Sequence, residues 1–285
     1  MEQYLEKPGG FMGSNTGYPE ALIVLLGAPM DLTVSYRPGT RMGPQQIRAV
    51  SIGLEEYSIY LDKQLSEVSF ADLGDVAVPF GNVNESLERI RQVIERVLED
   101  GKKPFVIGGE HLISYPVIQA IHHRYSDLMV VHFDAHADLR KDYVGEANSH
   151  ATVMRKTAEL LGPKRIIQVG IRSGIKEEFE YAQENTHLFK DRLEEAMPRV
   201  KEIVGDRPLY ISLDIDVVDP AFAPGTGTPE PGGCTAREII SAVHSLRDCR
   251  VVGLDLVEVS PVYDPSERTA LLGAKLLREA ILCFG

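Results

Sequence analysis

Short apolar runs alternate with amphipathic helical patterns along the chain from residue 21 onward. Several runs are apolar at almost every position, which is typical of strands buried on both faces of a sheet. Elsewhere the apolar positions recur every three or four residues, most clearly over 84–100, where Asn84 can cap the start of a helix and Gly101 follows its end. The pattern predicts strands at 21–27, 68–73, 104–109, 128–134, 165–171, 186–189, 208–214 and 251–257. It predicts helices at 43–61, 84–100, 112–124, 151–161, 176–184, 191–204, 235–247 and 267–282.

Strands separated by helices predict an α/β fold with a mostly parallel, eight-stranded sheet that is covered by helices on both faces. Two architectures satisfy this pattern, a three-layer α-β-α sandwich and a closed eight-stranded barrel. In both, ligands bind at the carboxyl ends of the strands. The chain has no internal repeat and no convincing linker, so we expect residues 1–285 to form a single domain. Residues 1–20, rich in glycine and polar side chains, are expected to be an N-terminal arm.

The composition of the 285-residue chain is that of an ordinary globular protein, with 44% hydrophobic and 25% charged residues. Its formal net charge of −12 disfavours nucleic acid or an anionic membrane as the main partner. The same charge suits a cationic substrate, although a solvated acidic surface is the commoner reason for it. The three cysteines lack CxxC spacing and the first residues lack the pattern of a signal peptide, so a reduced, cytoplasmic protein is expected. The longest apolar segment, 21–30, is too short to cross a bilayer.

Potential metal ligands follow three of the predicted strands. They are Asp134, His136 and Asp138 after 128–133, Asp214 and Asp216 after 209–213, and His111 after 105–110. On an extended backbone the alternate positions of Asp134, His136 and Asp138 would point to the same side. A single buried Asp-x-His could be a hydrogen-bonded pair in the core, but four carboxylates that converge on one place need cations to neutralise them. The six side chains together therefore predict a metal centre, and a dinuclear one.

The ligand types also indicate the metal and the reaction. Carboxylates and imidazoles without a thiolate favour Mn²⁺ or another hard divalent ion over a structural zinc site. Two divalent ions would balance the charge of the four aspartates. Coordination lowers the pKa of water by many units, so a hydroxide held by both ions would be a strong nucleophile at neutral pH. Such a centre predicts hydrolysis.

The motifs around these residues resemble those of the ureohydrolases, the family that includes arginase and agmatinase. The resemblance covers residues 108–264 and the earlier 36–44, with five motifs in the order that the family has them. The motifs are Gly108-Gly109-Glu110-His111, 132–138 (HFDAHAD), 212–220 (SLDIDVVDP), 225–233 (GTGTPEPGG) and 253–261 (GLDLVEVSP). The resemblance implies the three-layer sandwich rather than the barrel, and an assembly of identical chains as trimers or hexamers.

The same resemblance implies a role for each candidate residue. One Mn²⁺ would be held by His111, Asp134, Asp138 and Asp214, and the other by Asp134, His136, Asp214 and Asp216. Glu258 would pair with a substrate guanidinium, and His150 would carry protons to and from solvent. The chemistry adds a role for Asp138, because the leaving amine needs a proton and Asp138 is expected to donate it. From the residues alone, His150 could instead be a loop residue that caps the helix at 151, and Glu258 a buried acid paired with an arginine.

The loop at 139–149, between the metal-ligand triplet and His150, bears on the substrate. The resemblance implies that arginases bind the α-carboxylate and α-amino group of arginine with small hydroxyl residues in this loop. This chain carries charged and bulky side chains there. A substrate that lacks the α-carboxylate, agmatine, is therefore expected, with putrescine and urea as products. The alternatives are a guanidinobutyrase, an arginase, another guanidino-acid hydrolase or a formimidoylglutamase. Two further classes are a zinc deacetylase-like site built on Asp134, His136 and Asp214, and a non-catalytic binding protein.

Overall fold

The computed structural model of the chain describes residues 5–6, 10–14, 16–190 and 193–285. The prediction of an N-terminal arm over 1–20 lies partly outside the described residues, at 1–4, 7–9 and 15. Within the described part of that segment, Phe11 and Met12 are buried in the hydrophobic core. Their backbone N–H groups donate to the side chains of Asp72 and Ser51, respectively. These two residues therefore pack against the body of the protein.

A large open sheet runs through the centre of the protein. The strands are β1 (Leu5–Glu6), β2 (Ile23–Ala28), β3 (Tyr57–Ser58), β4 (Lys63–Gln64), β5 (Phe70–Val76), β6 (Lys103–Gly108), β7 (Met129–Phe133), β8 (Ile166–Val169), β9 (Thr186–Phe189), β10 (Leu209–Asp214) and β11 (Val251–Val257). Within the described residues the sheet has nine strands in the order β1-β5-β2-β6-β11-β10-β7-β8-β9. Neighbouring strands are parallel except β1 and β5, which are antiparallel. Strands β3 and β4 form a separate antiparallel pair.

Helices cover both faces of this sheet. They are α1 (Gly43–Ser51), α2 (Val83–Glu99), α3 (Ser114–Arg124), α4 (Val153–Leu161), α5 (Lys176–Asn185), α6 (Leu193–Val204), α7 (Ala236–Ser245) and α8 (Arg268–Phe284). Helices α1, α6, α7 and α8 bury apolar side chains in one core, and α2, α3, α4 and α5 in a second. Alternate residues of β7 divide between the two, with Val131 in the first core and Val130 in the second. The predicted three-layer α-β-α sandwich is therefore confirmed, and the barrel is wrong because the described sheet ends at two different edge strands.

Each of the eight predicted strands is present, with ends within a few residues of the prediction. The predicted helix 43–61 is wrong beyond Ser51, because α1 ends there, a turn follows at Gly53, and Tyr57 pairs with Gln64 in the small hairpin. Helix α2 is capped by Asn82, whose side chain accepts from the backbone of residue 85, and not by Asn84. The predicted helix at 191–204 is described from Leu193, since 191–192 lie outside the described residues.

The central strands β6, β11, β10 and β7 are neighbours that end at the same edge of the sheet. Their register pairs Leu256 with Ile107, Asp214 with Val257, and Leu213 with Phe133. The residues that follow these strands therefore lie side by side at the carboxyl edge, where open α/β sheets bind ligands. Among the described helices, none combines the length and the apolarity that a transmembrane segment needs.

Candidate metal centre

The carboxyl ends of β6, β7 and β10 bring His111 against three aspartates. His111 opens the short 3-10 turn that follows β6. Its Nδ1 lies 3.1 Å from Asp134 Oδ2, 3.2 Å from Asp138 Oδ2 and 3.2 Å from Asp214 Oδ2. All four side chains are buried. One imidazole nitrogen thus faces three carboxylate oxygens in a space that is largely closed to water.

A second group of ligands adjoins the first through Asp134. Nδ1 of His136 lies 2.9 Å from Asp216 Oδ2 and 3.5 Å from Asp134 Oδ1. Asp216 belongs to the 3-10 turn that follows β10, and its backbone N–H donates to Asp214 Oδ1 at 2.8 Å. The structure therefore brings together all six side chains that the sequence singled out as possible metal ligands.

The path of the chain after β7 differs from the extended path that the alternation suggested. Strand β7 ends at Phe133, and Asp138 has a left-handed φ of 53°. The backbone N–H of His136 donates to Asp134 Oδ1 at 2.5 Å, so the chain turns around this carboxylate. Asp134 and Asp138 meet at His111 because the chain bends, and alternation alone does not explain their meeting. A non-glycine residue in the left-handed region is strained, and such strain is concentrated at functional sites.

Crowding shifts the pKa values of these groups in opposite directions. Burial and the charges of Asp216 and Asp134 raise the pKa of Asp214 well above its usual range. Burial also disfavours the charged form of Asp134, but three neighbouring histidines hold the pKa of that carboxyl well below its usual range. Burial opposes protonation of His136, yet Asp216 and Asp134 raise its pKa to about 12. Carboxylates this close together ionise simultaneously only with strong positive charge beside them.

The donor atoms fit divalent metal ions. His111 Nδ1 is buried and has no hydrogen-bond partner of acceptable geometry, even though three carboxylate oxygens surround it. A nitrogen lone pair and carboxylate oxygens repel one another, whereas a cation between them would bind all of these donors. Imidazole and carboxylate donors without a thiolate suit ions such as Mn²⁺. The six residues can therefore hold a pair of divalent ions.

His132 lies near the cluster and was not predicted to have a role. One of its ring nitrogens lies within 4.8 Å of donor atoms of His111, Asp134 and Asp138. Both ring nitrogens are already engaged, however, because Gln168 Nε2 lies 3.2 Å from Nδ1 and Asp134 Oδ2 lies 2.7 Å from Nε2. The Gln168 amide donates to Nδ1, so Nε2 carries the proton and donates to Asp134. His132 therefore orients a ligand and is not itself placed to bind an ion.

A chain of hydrogen bonds behind His111 fixes its ring. His111 Nε2 lies 3.0 Å from Ser212 Oγ, which donates to Asp255 Oδ1 at 2.8 Å. Tyr210 donates its hydroxyl to the other oxygen of Asp255. Since the Ser212 proton goes to Asp255, its oxygen accepts from His111, so Nε2 carries the proton of that ring. Nδ1 is thereby left with its lone pair toward the aspartates, as metal binding requires.

These supporting residues were missed by the sequence reasoning, although the sequence carries a signal for them. His132, Ser212 and Asp255 are polar residues inside strands that are otherwise apolar, and all three are fully buried. A polar side chain at such a position needs a partner. The partners depend on strand register, which pairs Ser212 with His132 on one side and with Asp255 on the other. That register is not readable from the order of the residues.

Glu258 lies beside the cluster, directly after β11. It has a left-handed φ of 64°, and its Oε1 accepts the backbone N–H of His111 at 2.7 Å. Burial raises the pKa of Glu258 to about 8. Within the described residues its carboxylate bonds to a backbone N–H and not to an arginine, so the alternative of a buried acid–arginine pair does not hold. A cationic ligand beside it would favour its charged form.

His150 begins the 3-10 turn that precedes α4. Ser149 caps this turn, since its Oγ accepts from Ala151 N, so His150 is not the capping residue. The ring of His150 is half-buried, with Nδ1 2.9 Å from the Thr33 carbonyl oxygen. The ring of Tyr143 packs edge-on against it, with 5.7 Å between the ring centroids.

A cavity of about 190 Å³ opens next to the cluster. Its lining includes His111, His136 and Asp214 from the metal-ligand set. Asp138, His150 and Glu258, the three residues with predicted catalytic roles, line the same cavity, as do Arg140, Tyr143, Glu178 and Thr228. The sheet edge therefore combines a possible metal centre with a space for a small molecule.

An open, mostly parallel sheet with six potential metal ligands at the ends of its central strands is an α/β fold with a candidate metal centre. The sequence profile of the arginase family matches residues 21–283. An agmatinase of Bacillus subtilis (strain 168) is 52% identical over 277 residues, which cover 96% of each chain. A guanidinobutyrase of Pseudomonas aeruginosa is 38% identical over 270 residues, covering 90% of this chain and 84% of that protein. The crystal structure of the agmatine ureohydrolase of Thermoplasma volcanium matches with a TM-score of 0.88 and 36% identity, covering 95% of this chain and 92% of the other.

The chain belongs to the arginase family. The resemblance to the ureohydrolases that the motifs indicated is thereby confirmed, and with it the prediction of a hydrolase of this family. The match extends far beyond the five motifs and includes nearly the whole described sheet.

Proposed function

We propose that the protein is a manganese-dependent agmatinase that hydrolyses agmatine to putrescine and urea. The convergence of six potential metal ligands beside a cavity that Glu258 and His150 also line carries this proposal. The B. subtilis relative, an agmatinase that is 52% identical over nearly the full length, supports agmatine as the substrate. The agmatine ureohydrolase of T. volcanium supports it as well.

The six ligands would hold two divalent ions. His111, Asp134, Asp138 and Asp214 would hold one ion, and Asp134, His136, Asp214 and Asp216 the other. Asp134 and Asp214 would thus serve both. Asp134 lies between the two histidines, with its two oxygens toward His111 and His136, and Asp214 lies beside His111 and accepts the backbone N–H of Asp216. When bound, the ions supply positive charge and a hydroxide nucleophile that is available at neutral pH. The donor set, rich in oxygen and free of thiolate, favours Mn²⁺.

Glu258 would bind the guanidinium of the substrate. A planar guanidinium presents parallel N–H groups that one carboxylate accepts in pairs. The bond from the His111 backbone to Oε1 fixes this carboxylate relative to a metal ligand. The carboxylate is buried, so a cation beside it is attracted more strongly than at the surface. This contact would hold the plane of the guanidinium toward the ligand cluster, in a geometry suited to attack on its carbon.

Asp138 and His150 would move the protons of the reaction. The amine can leave only after its nitrogen has gained a proton, since an amide anion is too basic to leave in water. Asp138 lines the cavity near His111, so it is placed to take up the proton that the nucleophile gives up after the new C–O bond forms and to pass it to the leaving amine. His150 also lines the cavity and is only half-buried, so it can exchange protons between the cavity and solvent.

The loop at 139–149 bears on which guanidino compound is the substrate. Arg140 and Tyr143 line the cavity, with the Arg140 guanidinium 5.0 Å from the centre of the Tyr143 ring. One observation favours a second candidate, 4-guanidinobutyrate, because the Arg140 cation would attract its carboxylate. Arg140 is 31% exposed, but its Nε lies 3.7 Å from Glu178 Oε2, which offsets much of that attraction. We therefore place agmatine first and 4-guanidinobutyrate second.

Steady-state assays of urea release from agmatine, arginine and 4-guanidinobutyrate, with and without added Mn²⁺, test the proposal. We expect the highest kcat/KM with agmatine and a strong requirement for Mn²⁺. A clear preference for either of the other two compounds would overturn the substrate assignment. Elemental analysis that finds a single zinc per chain would favour a deacetylase-like site. Failure of metal-loaded protein to release urea from any of the three would favour a binding protein.

We infer further that residues 1–285 act as one domain in a cytoplasmic trimer or hexamer. Both hydrophobic cores pack on the same sheet, which supports a single domain. The three cysteines are unpaired, which agrees with a reducing compartment. The oligomer rests on the family resemblance, and light scattering of the purified protein measures it. A monomer in solution would contradict this part of the proposal.

A further inference from the structure

His150 is held by a loop from a distant part of the chain, residues 31–35. Its backbone N–H donates to Thr33 Oγ1 at 3.1 Å, and its Nδ1 lies 2.9 Å from the Thr33 carbonyl oxygen. A carbonyl oxygen only accepts hydrogen bonds, so Nδ1 carries the proton of the neutral ring. Nε2 then keeps its lone pair, and it lies 3.5 Å from Ser35 Oγ at the lining of the cavity. Thr33 therefore sets both the position and the tautomer of His150.

Glu110 in turn holds Thr33. Glu110 is fully buried. Its Oε2 accepts the hydroxyl of Thr33 at 2.6 Å and the backbone N–H of Thr33 at 2.9 Å, and its Oε1 accepts the backbone N–H of Leu32 at 3.2 Å. Because the Thr33 hydroxyl gives its proton to Glu110, the lone pairs of its oxygen remain to accept from His150. The hydrogen bonds thus form a directed chain from the backbone N–H of His150 through the Thr33 hydroxyl to Glu110. The ring of His150 bonds to the carbonyl oxygen of the same threonine, whose backbone N–H is also held by Glu110.

The burial of Glu110 calls for an explanation beyond packing. Within the described residues its carboxylate has hydrogen bonds from the 32–33 loop but no cation within ion-pair distance. Burying a carboxylate without a cation is costly, and an apolar residue would fill the same space without that cost. Neither Glu110 nor Thr33 lines the cavity, so direct contact with a substrate is not the reason.

We propose that Glu110, acting through Thr33, is a positioning residue that fixes the tautomer and the direction of His150 for proton transfer. The inference rests on the proposed function, in which His150 exchanges protons with the cavity. Glu110 directly precedes His111, whose ring faces the aspartates and whose backbone N–H binds Glu258. The end of β6 therefore fixes the proton-transfer residue, the guanidinium acceptor and a metal ligand relative to one another.

Comparing the kcat of each variant in the wild-type protein and in a His150→Asn background separates this role from a purely structural one. Thr33→Val removes the hydroxyl but keeps the shape of the side chain, and Glu110→Gln removes the charge. We expect each to lower kcat for agmatine by about 10–100-fold, with KM and bound metal unchanged. In a His150→Asn background neither should lower kcat further, because no imidazole is left to position. An equal further loss in that background, or a loss of metal in parallel with kcat, would overturn the inference.

Thr157→Val provides a matched control. Thr157 is also buried, its hydroxyl donates to Val153 O at 2.8 Å within α4, and it does not line the cavity. We expect this variant to keep the kcat of the wild type. If Thr157→Val loses as much activity as Thr33→Val, then replacing any buried threonine lowers activity, and the inference fails.

Nitrogen-15 NMR of histidine-labelled protein gives a readout that does not depend on activity. The signal of His150 is assigned by its disappearance in His150→Asn. We expect the neutral ring to be protonated at Nδ1 in the wild type and to become a mixture of tautomers in Glu110→Gln. A ring protonated at Nε2 in the wild type would overturn the inference even if agmatine is hydrolysed. An Nδ1 tautomer that is fixed in the wild type and remains fixed in Glu110→Gln would also overturn it. A tautomer that is fixed in the wild type and lost in Glu110→Gln, without urea release from agmatine, would support the positioning by Glu110 and overturn the proposed function.

Discussion

In the proposed function Glu258 would combine two tasks in one side chain, since one oxygen accepts the backbone N–H of His111 and the other would accept from the substrate. Glu258→Gln keeps the first bond through its amide oxygen but removes the negative charge. We expect kcat/KM for agmatine to fall on the order of 100-fold, because the hydrogen bonds to the guanidinium lose their charge assistance. Steady-state kinetics and metal analysis of the same samples measure this. An unchanged kcat/KM, or a fall that matches a loss of metal, would contradict the role of Glu258.

Asp255 does not line the cavity, yet through Ser212 it decides which nitrogen of His111 carries the ring proton. We expect Asp255→Asn to weaken Mn²⁺ binding by about 10–100-fold, because the His111 ring is no longer held in one tautomer. Titration of metal-free protein with Mn²⁺ measures the affinity. Tyr210→Phe is the control, since it removes one bond to Asp255 but leaves the bond from Ser212, and its effect should be smaller. Wild-type affinity in Asp255→Asn would refute this account.

Residues at strand ends could be predicted from the sequence, whereas residues that interact across strands could not. Asp134, Asp214 and Glu258 follow apolar runs, so their position at the ends of strands could be predicted from local pattern alone. Thr33 and Glu110 are 77 residues apart in the chain, and their hydrogen bonds exist because the parallel strands β2 and β6 end side by side. Such a contact depends on the order of strands in the sheet. No periodicity along the chain encodes that order.

Helix α8 carries a fully buried glutamate, Glu279, that joins it to two other elements. Its Oε2 accepts from Ser58 Oγ of β3 at 2.6 Å and lies 2.8 Å from His244 Nε2 of α7. Lys275, with Nζ 3.1 Å from Oε1, and the adjacent Arg278 pair with it from α8 itself. We expect Glu279→Gln to lower the free energy of unfolding by about 3–5 kcal/mol, because the cations lose their buried partner. Chemical denaturation measures this, and a loss below about 1 kcal/mol would contradict it.

This contribution to stability depends on pH. Burial alone would raise the pKa of Glu279, but hydrogen bonds from His244, Ser58 and Arg278 hold it well below the ordinary range. The pKa of a glutamate in the unfolded chain is about 4.3. Because the folded-state pKa is lower, the carboxylate stabilises the protein at pH values above about 4.3, and this stabilisation is lost as the pH falls toward the folded-state pKa. The difference in unfolding free energy between wild type and Glu279→Gln should therefore shrink below about pH 4. A difference that grows on acidification would show that the carboxylate is not stabilised in its charged form.

Elements with long apolar runs or strong helical periodicity could be predicted, and short polar ones could not. The eight parallel strands are apolar enough to stand out from the helices between them. The hairpin of β3 and β4 has two residues in each strand, and β4 consists of Lys63 and Gln64. Two polar residues show no alternation, so the sequence does not predict the hairpin, and its first strand falls within the predicted helix 43–61. Its position is set by tertiary contacts, such as the bond between Ser58 and Glu279.

At the scale of the whole molecule, the sheet order explains why one site collects residues from four strands. Strands β6, β7, β10 and β11 are separated in the chain by helices and other strands but are adjacent at the centre of the sheet. The alternation of strands and helices predicts a layered α/β fold but leaves the order of the strands open. The choice of the sandwich over the barrel came from the family resemblance. Convergence of the ligands was predictable from their positions, because they follow the carboxyl ends of predicted strands, which meet at one edge of a parallel sheet. The need for cations then followed from the charge of the converging carboxylates.

Removal of the metal tests the balance of charge at the centre of the sheet. Asp134, Asp138, Asp214 and Asp216 are buried at the ends of two neighbouring strands, so their mutual repulsion acts directly on the core. We expect chelation to abolish urea release and to lower Tm by about 5–10 °C. An ion present at about 100 times its Kd stabilises the fold by about 2.7 kcal/mol, and each kcal/mol corresponds to about 2–4 °C in a protein of this size. Calorimetry of metal-loaded and chelated samples measures the shift, and added Mn²⁺ should reverse it. An unchanged Tm would mean that the four carboxylates relieve their repulsion by sharing protons, and ions would then not be needed to hold this edge of the sheet together.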